Sequence, residues 1–75
     1  MINQAQRANL EKLWHQYGHR GAKATIGNHK LIQRLLHVDG AELEESIARY
    51  NAMMDNDPDK SITPDCIAAV KKALA

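Results

Sequence analysis

Four short stretches of this chain carry apolar residues at the spacing of one face of an α-helix, and this pattern most limits what the chain can fold into. The first stretch places Leu10, Leu13, Trp14 and Tyr17 at positions i, i+3, i+4 and i+7. The stretches are separated by segments that contain glycine or proline, which end helices. The pattern predicts an all-α fold of four short helices, arranged as two helix–loop–helix units.

The first two helices have local signals at their ends. We predict the first helix at residues 4–17, because Asn3 suits the N-terminal cap and Gly18 suits the stop. The segment 18–28 contains three glycines and no helical spacing, so it is predicted to be a loop. Asn28 is then predicted to cap the second helix.

The last two helices start at recognisable caps. Asp39, with Glu42 three residues later, forms a capping-box pattern, which predicts a third helix at about 40–54. An acidic segment with a proline interrupts it. Thr63, which is followed by a proline, predicts the start of a fourth helix at about 64–74.

The length and the single cysteine set limits on the class of protein. A chain of 75 residues has enough material for one hydrophobic core, so residues 1–75 are predicted to form one domain. Cys66 has no cysteine partner within the chain, which is typical of proteins in a reducing compartment. The first residues lack the apolar segment of a signal peptide, and no apolar run approaches the roughly 20 residues that cross a bilayer. We therefore expect a cytoplasmic protein without a membrane segment.

The charge is divided unevenly along the chain, although the formal net charge is only +1. Residues 1–38 carry six basic side chains and one acidic side chain, whereas residues 39–75 carry four basic and eight acidic ones. Such a division can steer an anionic partner to one face of a protein. It can equally let the two halves attract each other within the fold, and both interpretations stay open.

Carboxylates at every second position mark the segment between the third and fourth helices. Asp55, Asp57 and Asp59 alternate there, and Ser61 and Thr63 continue the spacing. Oxygen ligands in this arrangement can converge on one hard cation such as Ca²⁺, which binds about six to eight oxygens. These five residues are therefore the candidate metal site of the chain.

In this segment and its flanking helices the chain resembles the EF-hand family, in which a loop of about 12 residues supplies oxygens at alternate positions. Counted from Asp55, the loop places Ile62 at the family's aliphatic position and Lys60 at its glycine position. Cys66 stands where the family has its bidentate carboxylate. The resemblance implies a pair of EF-hand-like units with weak or absent Ca²⁺ binding, joined by a short β-bridge between Ile26 and Ile62.

The resemblance and the helix pattern together predict a protein that binds another protein. No catalytic motif is present in the sequence, so an enzyme is not expected. We expect a non-enzymatic adaptor or regulatory subunit that grips an amphipathic helix of its partner, or that pairs with a second copy of the chain. Such a partner would be basic or apolar where it meets the acidic half. Adjacent apolar residues on one helix point about 100° apart, so one of each pair is expected to face outward. The predicted partner-binding groove is formed by Leu36, Met53, Met54, Val70 and Leu74.

The alternative is a small helical regulator, of the type that mobile elements encode, which binds nucleic acid or a host protein through the basic half. The residues for such contacts are Arg20, Lys23, Lys30 and Arg34, because cationic side chains neutralise phosphates. The same helices could also belong to an unrelated four-helix domain or to a helix-turn-helix unit. No cofactor is expected under any of these interpretations, except for weakly bound Ca²⁺.

Overall fold

The described part of the chain forms four helices and contains no β-strand. A computed structural model describes residues 2–18, 21, 23–38 and 40–75. The helices are α1 (Gln4–Tyr17), α2 (Ile26–His37), α3 (Leu43–Met53) and α4 (Pro64–Ala73). The predicted all-α class and the number of helices are confirmed. None of the described helices combines the length and the apolar surface that crossing a membrane requires.

Local capping signals place α1 and α4 where the sequence predicts them. The Asn3 side chain accepts a hydrogen bond from the backbone N–H of Gln6 at 2.8 Å, and the Gln6 side chain accepts from the N–H of Asn3 at 2.9 Å. Gly18 follows the last residue of α1, as predicted. At the start of α4, the Thr63 hydroxyl accepts from the N–H of Cys66 at 3.3 Å. Both caps use residues only three positions apart, so the sequence alone was enough to find them.

The start of α2 differs from the prediction. Thr25, and not Asn28, is the N-terminal cap, and its hydroxyl accepts from the Asn28 N–H at 3.0 Å. Asn28 lies inside the first turn and is fully buried. The helix can start this early because Gly27, which has no side chain, lies directly against the backbone of residues 60–62. The Gly27 N–H donates to the Lys60 carbonyl at 2.6 Å, a contact between segments that are far apart in the sequence.

α3 starts later than predicted. Gly40 has a φ of +79°, which lies outside the helical region, so the helix cannot extend back to this residue. The helix begins at Leu43, and Glu42 occupies the cap position without a side-chain hydrogen bond. The predicted capping box also involves Asp39, which lies outside the described residues.

α2 supplies the largest share of the buried apolar residues among the described helices. It packs against α1 and against α3, while α4 packs against α1. The apolar residues of α2 in the middle of the core are at most 8% exposed, and they are Leu31, Ile32, Leu35 and Leu36. The rest of the buried core comes from α1, from α4 and from the segment before α4, and consists of Leu10, Tyr17, Ile62, Cys66, Val70 and Ala73.

Contacts between helix ends show that α2 and α3 run in opposite directions. Near the end of α2, Nε of Arg34 donates to the hydroxyl of Ser46, which lies close to the start of α3. Gly27 in the first turn of α2 and Asn51 in the last turn of α3 both form hydrogen bonds with the segment 60–62. The first turn of α2 and the last turn of α3 therefore lie at the same end of the molecule.

Candidate functional site

The loops of the two helix–loop–helix units meet, but not through the β-bridge that the EF-hand resemblance implies. The Thr25 hydroxyl donates to the Ser61 carbonyl at 2.8 Å. Ile26 is the first residue of α2 and is 47% exposed, whereas Ile62 is 5% exposed and belongs to the core. The predicted pairing of Ile26 with Ile62 is wrong, because the first turn of a helix now occupies the position where a strand was expected.

A buried asparagine makes the main contact between these loops. Nδ2 of Asn28 donates to the Lys23 carbonyl at 3.0 Å and to the Thr63 hydroxyl at 3.2 Å. Oδ1 of Asn28 accepts from the backbone N–H of Thr63 at 2.9 Å. The side chain thus holds the first turn of α2 against the start of α4 and against the loop after α1.

The acidic loop is held by local hydrogen bonds, and its residues with positive φ do not stand where the EF-hand resemblance implies. Oδ1 of Asp57 accepts from the backbone N–H of Asp59 at 2.9 Å, so this carboxylate closes a local turn. Positive φ occurs at Asp55 and Asn56, and not at Lys60, where an EF-hand loop has its glycine. Among the described residues, no three histidine, cysteine, aspartate or glutamate side chains are placed to hold one metal ion.

The two hydroxyl residues of the predicted metal site have structural roles. Ser61 is buried, and its carbonyl accepts from the Thr25 hydroxyl. The Thr63 hydroxyl caps α4 and accepts from the side chain of Asn28. Among the predicted ligands Asp55, Asp57, Asp59, Ser61 and Thr63, the three carboxylates are not placed to hold one metal ion together.

The predicted partner-binding groove does not form as a unit. Leu36 is 8% exposed and Val70 is fully buried, so both belong to the core and their assignment to a binding surface was wrong. Two adjacent leucines of α2 can both be buried because this helix packs against two neighbouring helices. Met54 and Leu74 are partly buried, and Met53, at 55% exposure, is the member of the predicted set that is open to solvent.

The residues predicted to contact nucleic acid have different surroundings. The Arg34 guanidinium lies 3.5 Å from the Glu45 carboxylate, so part of its charge is already neutralised. The Lys23 ammonium lies over an aromatic ring of α1, at 5.9 Å from the ring centroid. Lys30 is partly exposed, and Arg20 lies outside the described residues.

Two rows of side chains, one on α2 and one on α3, run next to each other on the surface. Arg34 and Glu45 join the rows at one end by their ion pair. Because the two helices run in opposite directions, the other members of each row extend from this pair towards the same end of the molecule. The rows have four-residue spacing, which keeps their members on one side of a helix. They consist of Ile26, Lys30 and Arg34 on α2 and of Glu45, Arg49 and Met53 on α3. We call these six residues the α2–α3 face.

Exposed apolar side chains and a surplus of positive charge distinguish this face. Ile26 is 47% exposed and Met53 is 55% exposed, and they lie at the same end of the two rows. The Glu45 carboxylate also lies 4.0 Å from the Arg49 guanidinium, so one carboxylate is shared by two arginines. Lys30 forms no ion pair with any of the described residues.

A cleft of about 510 Å³ adjoins the α2 row at its apolar end. It lies between the first turn of α2 and the loop before α4, and it is lined by Ala24, Thr25, Ile26, His29, Lys30, Asp59 and Lys60. Lys60, like Lys30, has no ion-pair partner within the described part of the chain. We call this depression the α2 cleft.

Three residues of this region were missed in the sequence. Ile26 was assigned to a loop, Lys60 was considered only within the EF-hand-like loop, and none of the three was predicted as a partner contact. Once Thr25 is taken as the cap of α2, the four-residue spacing from Ile26 onward becomes visible in the sequence. The neighbouring row on α3 could not be matched to it, because no local pattern shows which helices pack together.

Cys66 is a packed core residue, and its surroundings make the thiol unreactive. The residue is fully buried, and this burial raises the pKa of the thiol from 9.0 to about 12. A raised pKa keeps the thiol protonated, which disfavours the nucleophilic thiolate.

We expect Cys66 to resist alkylation in the folded protein and to react readily after unfolding. In the unfolded chain the thiol ionises near 9.0, and in the folded protein only near 12. Between these values the unfolded state has lost more protons, so Cys66 should make the free energy of unfolding fall by up to about 1.4 kcal/mol per pH unit. Denaturant titrations at several pH values, compared with a Cys66→Ala control, measure this slope. Alkylation of the folded protein as fast as of a free thiol would contradict the expectation.

Comparison with protein-family models, with curated proteins and with solved structures finds no match for this chain. The described residues form a compact, all-helical fold with a partly apolar, positively charged face. The geometry and chemistry of that face are the basis for a functional proposal.

Proposed function

We propose that this protein is a non-enzymatic protein-binding module, which holds an amphipathic helix of its partner on the α2–α3 face. The observation that carries the proposal is the exposure of two large apolar side chains, Ile26 at 47% and Met53 at 55%, at the same end of adjacent rows. Exposed apolar side chains that lie together within a polar rim are typical of interaction sites. Methionine and arginine, which are both present on this face, are enriched in protein interfaces.

The dimensions of the face suit a short helix. The two ends of each row are eight positions apart, which corresponds to about 12 Å along the helix axis. A partner helix of about two to three turns covers this length and can lie along the two rows. The apolar side of such a helix would meet Ile26 and Met53.

A protein partner fits the face better than nucleic acid does. The carboxylate of Glu45 lies within the rows, and that of Asp59 lines the neighbouring cleft. A protein helix can place its acidic side chains away from these two carboxylates, whereas a phosphate backbone carries a negative charge at every nucleotide. The two exposed apolar side chains would remain in contact with water in a complex held together by phosphate contacts.

Selection of peptides on the immobilised full chain tests the proposal. From random peptides of about 16 residues displayed on phage, we expect enrichment of sequences with apolar residues at helical spacing. Their dissociation constants should lie near about 10 μM, as is common for a single short helix without optimised contacts. Ile26→Gln and Met53→Gln should each weaken binding about tenfold, because half-exposed apolar side chains become buried in the complex.

Val38→Gln is the matched control, since Val38 is 44% exposed but lies at the other end of α2. It should leave peptide binding unchanged, and all three variants should keep the melting temperature of the parent protein. Failure to enrich any peptide, or equal losses in all three variants, would refute the proposal. Sequence-selective binding of a labelled oligonucleotide tighter than about 1 μM at physiological salt, without peptide enrichment, would support the nucleic-acid alternative instead.

A further inference from the structure

We infer that the partner helix is acidic, and that Lys30 and Lys60 receive its carboxylates at the mouth of the α2 cleft. This inference rests on the proposed function, because it names the chemistry of the partner at the same face. It differs from the expectation of a basic or apolar partner, which follows from the acidic second half of the sequence. The fold brings cations from both halves together, since Lys30 belongs to the basic half and Lys60 to the acidic one.

The balance of charge at the site is positive. The α2–α3 face and the α2 cleft together contain four cations and two carboxylates. The cations are Lys30, Arg34, Arg49 and Lys60, and the carboxylates are Glu45 and Asp59. Glu45 is shared by the two arginines, so its charge does not compensate either lysine. Two lysines that have no ion-pair partner among the described residues therefore line one cleft, and only one carboxylate of the described chain lines it with them.

The position of the lysines next to an apolar side chain selects the kind of anion. Ile26 lies in the lining of the same cleft as Lys30 and Lys60 and is 47% exposed. A ligand that fills the cleft must place an apolar group against Ile26 and a negative group near the lysines. The first turn of α2 contains no acidic residue, so the positive end of the helix dipole is not neutralised locally. An amphipathic helix with aspartate or glutamate next to its apolar residues meets both requirements.

The lining of the cleft also contains the imidazole ring of His29, which already packs against another residue of the fold. The His29 imidazole packs against the Trp14 indole, with ring centroids 4.7 Å apart. This contact fixes the ring at the α1 side of the cleft. We therefore assign the recognition of carboxylates to the two lysines and not to His29.

The experiment combines variants of the protein with variants of a selected peptide. The probe is the most enriched peptide from the phage selection, together with a version in which every Asp and Glu is replaced by Asn and Gln. We expect the selected peptides to have an excess of acidic residues. The neutral version should bind the parent protein about tenfold more weakly. The Lys30→Glu/Lys60→Glu double variant should bind the acidic peptide about tenfold more weakly than the parent protein does. Its affinity for the neutral peptide should change much less.

A second double variant controls for net charge. Lys12→Glu/Lys72→Glu makes the same change in charge at two exposed positions of α1 and α4, away from the face. It should retain nearly all of the affinity. Raising the salt concentration from about 50 mM to about 500 mM should weaken the binding of the acidic peptide to the parent protein and have little effect on the binding of the neutral peptide.

The outcomes separate this inference from the proposed function. If Ile26→Gln weakens binding as expected, but the Lys30→Glu/Lys60→Glu variant binds as the parent protein does and the neutral peptide binds as the acidic one does, the partner is not acidic. The protein-binding function then stands. Equal losses in the two double variants would also overturn the inference, because the effect would then come from net charge. If no peptide is enriched at all, the proposed function itself fails.

Discussion

Replacing Asn28 with alanine is expected to lower the free energy of unfolding by about 2–3 kcal/mol. Asn28 is fully buried, and its side chain makes three hydrogen bonds, to the Lys23 carbonyl and to the hydroxyl and backbone N–H of Thr63. Alanine would leave the carbonyl and the N–H without partners, and each unsatisfied buried group costs about 1–3 kcal/mol. In a domain of this size the melting temperature should fall by about 10 °C or more. Thermal unfolding followed by circular dichroism measures the change.

Two further variants show whether these hydrogen bonds are the cause. Asn9→Ala removes an asparagine that is exposed on α1, and it should change the free energy of unfolding by less than about 0.5 kcal/mol. Asn28→Asp keeps the shape of the side chain, but its carboxylate cannot donate to the Lys23 carbonyl. Burial favours the neutral form and raises its pKa, so this variant should lose stability as the pH rises above about 4, where the unfolded chain ionises. If Asn28→Ala were as stable as Asn9→Ala, the contact between the loops would have no energetic importance.

Replacing Gly27 with alanine is expected to destabilise the protein by about 2–3 kcal/mol, although alanine is the better helix former. Within a helix, this change usually stabilises by about 0.5–1 kcal/mol. At this position, however, the new Cβ would lie 2.5 Å from the backbone nitrogen of Ile62 and 2.6 Å from the carbonyl carbon of Ser61. Backbone atoms cannot move aside as a flexible side chain does, so α2 would have to move away from residues 60–62. The hydrogen bond from Gly27 to the Lys60 carbonyl would be lost with it.

The opposite substitution on an exposed helix provides the control. Ala68→Gly lies on the outer side of α4 and should cost about 1 kcal/mol, as helix propensity alone predicts. Glycine would then be unfavourable at residue 68 and favourable at residue 27. Chemical denaturation of both variants measures the change in the free energy of unfolding at each position. A Gly27→Ala protein that is more stable than the parent would show that α2 does not lie as close to residues 60–62 as the structure places it.

Both predictions concern the end of the molecule at which the α2 cleft lies. Gly27 and Asn28 hold the first turn of α2 against residues 60–63, directly before α4. The preceding residue, Ile26, lines the cleft. The same contacts keep Lys30 and Lys60 on the two walls of one cleft. A variant that loosens this end should therefore lose peptide binding together with stability, whereas variants of the α2–α3 face should lose binding alone.

Several features of this protein follow from the sequence by itself. α1 begins directly after Asn3 and α4 directly after Thr63, as predicted, because each cap side chain accepts a hydrogen bond from the backbone N–H three positions later. The all-α class follows from the helical spacing of apolar residues, which is also a local property. Met53 was recognised as a candidate contact because it stands next to a second methionine, although the rest of the predicted groove is in the core.

The tertiary structure alone decided the start of α2, the role of Asn28 and the composition of the binding face. Asparagine commonly caps helices, so the sequence suggested this role for Asn28, but its side-chain hydrogen bonds reach Thr63, which is 35 residues away. Whether two adjacent leucines can both be buried depends on how many helices surround α2. The rows that begin at Ile26 and at Glu45 become one face only because α2 and α3 pack side by side in opposite directions. Capping and helical periodicity depend on residues within a few positions of each other, so they can be predicted from the sequence. Packing brings together segments that are far apart in the sequence, and no local pattern shows which of them will be in contact.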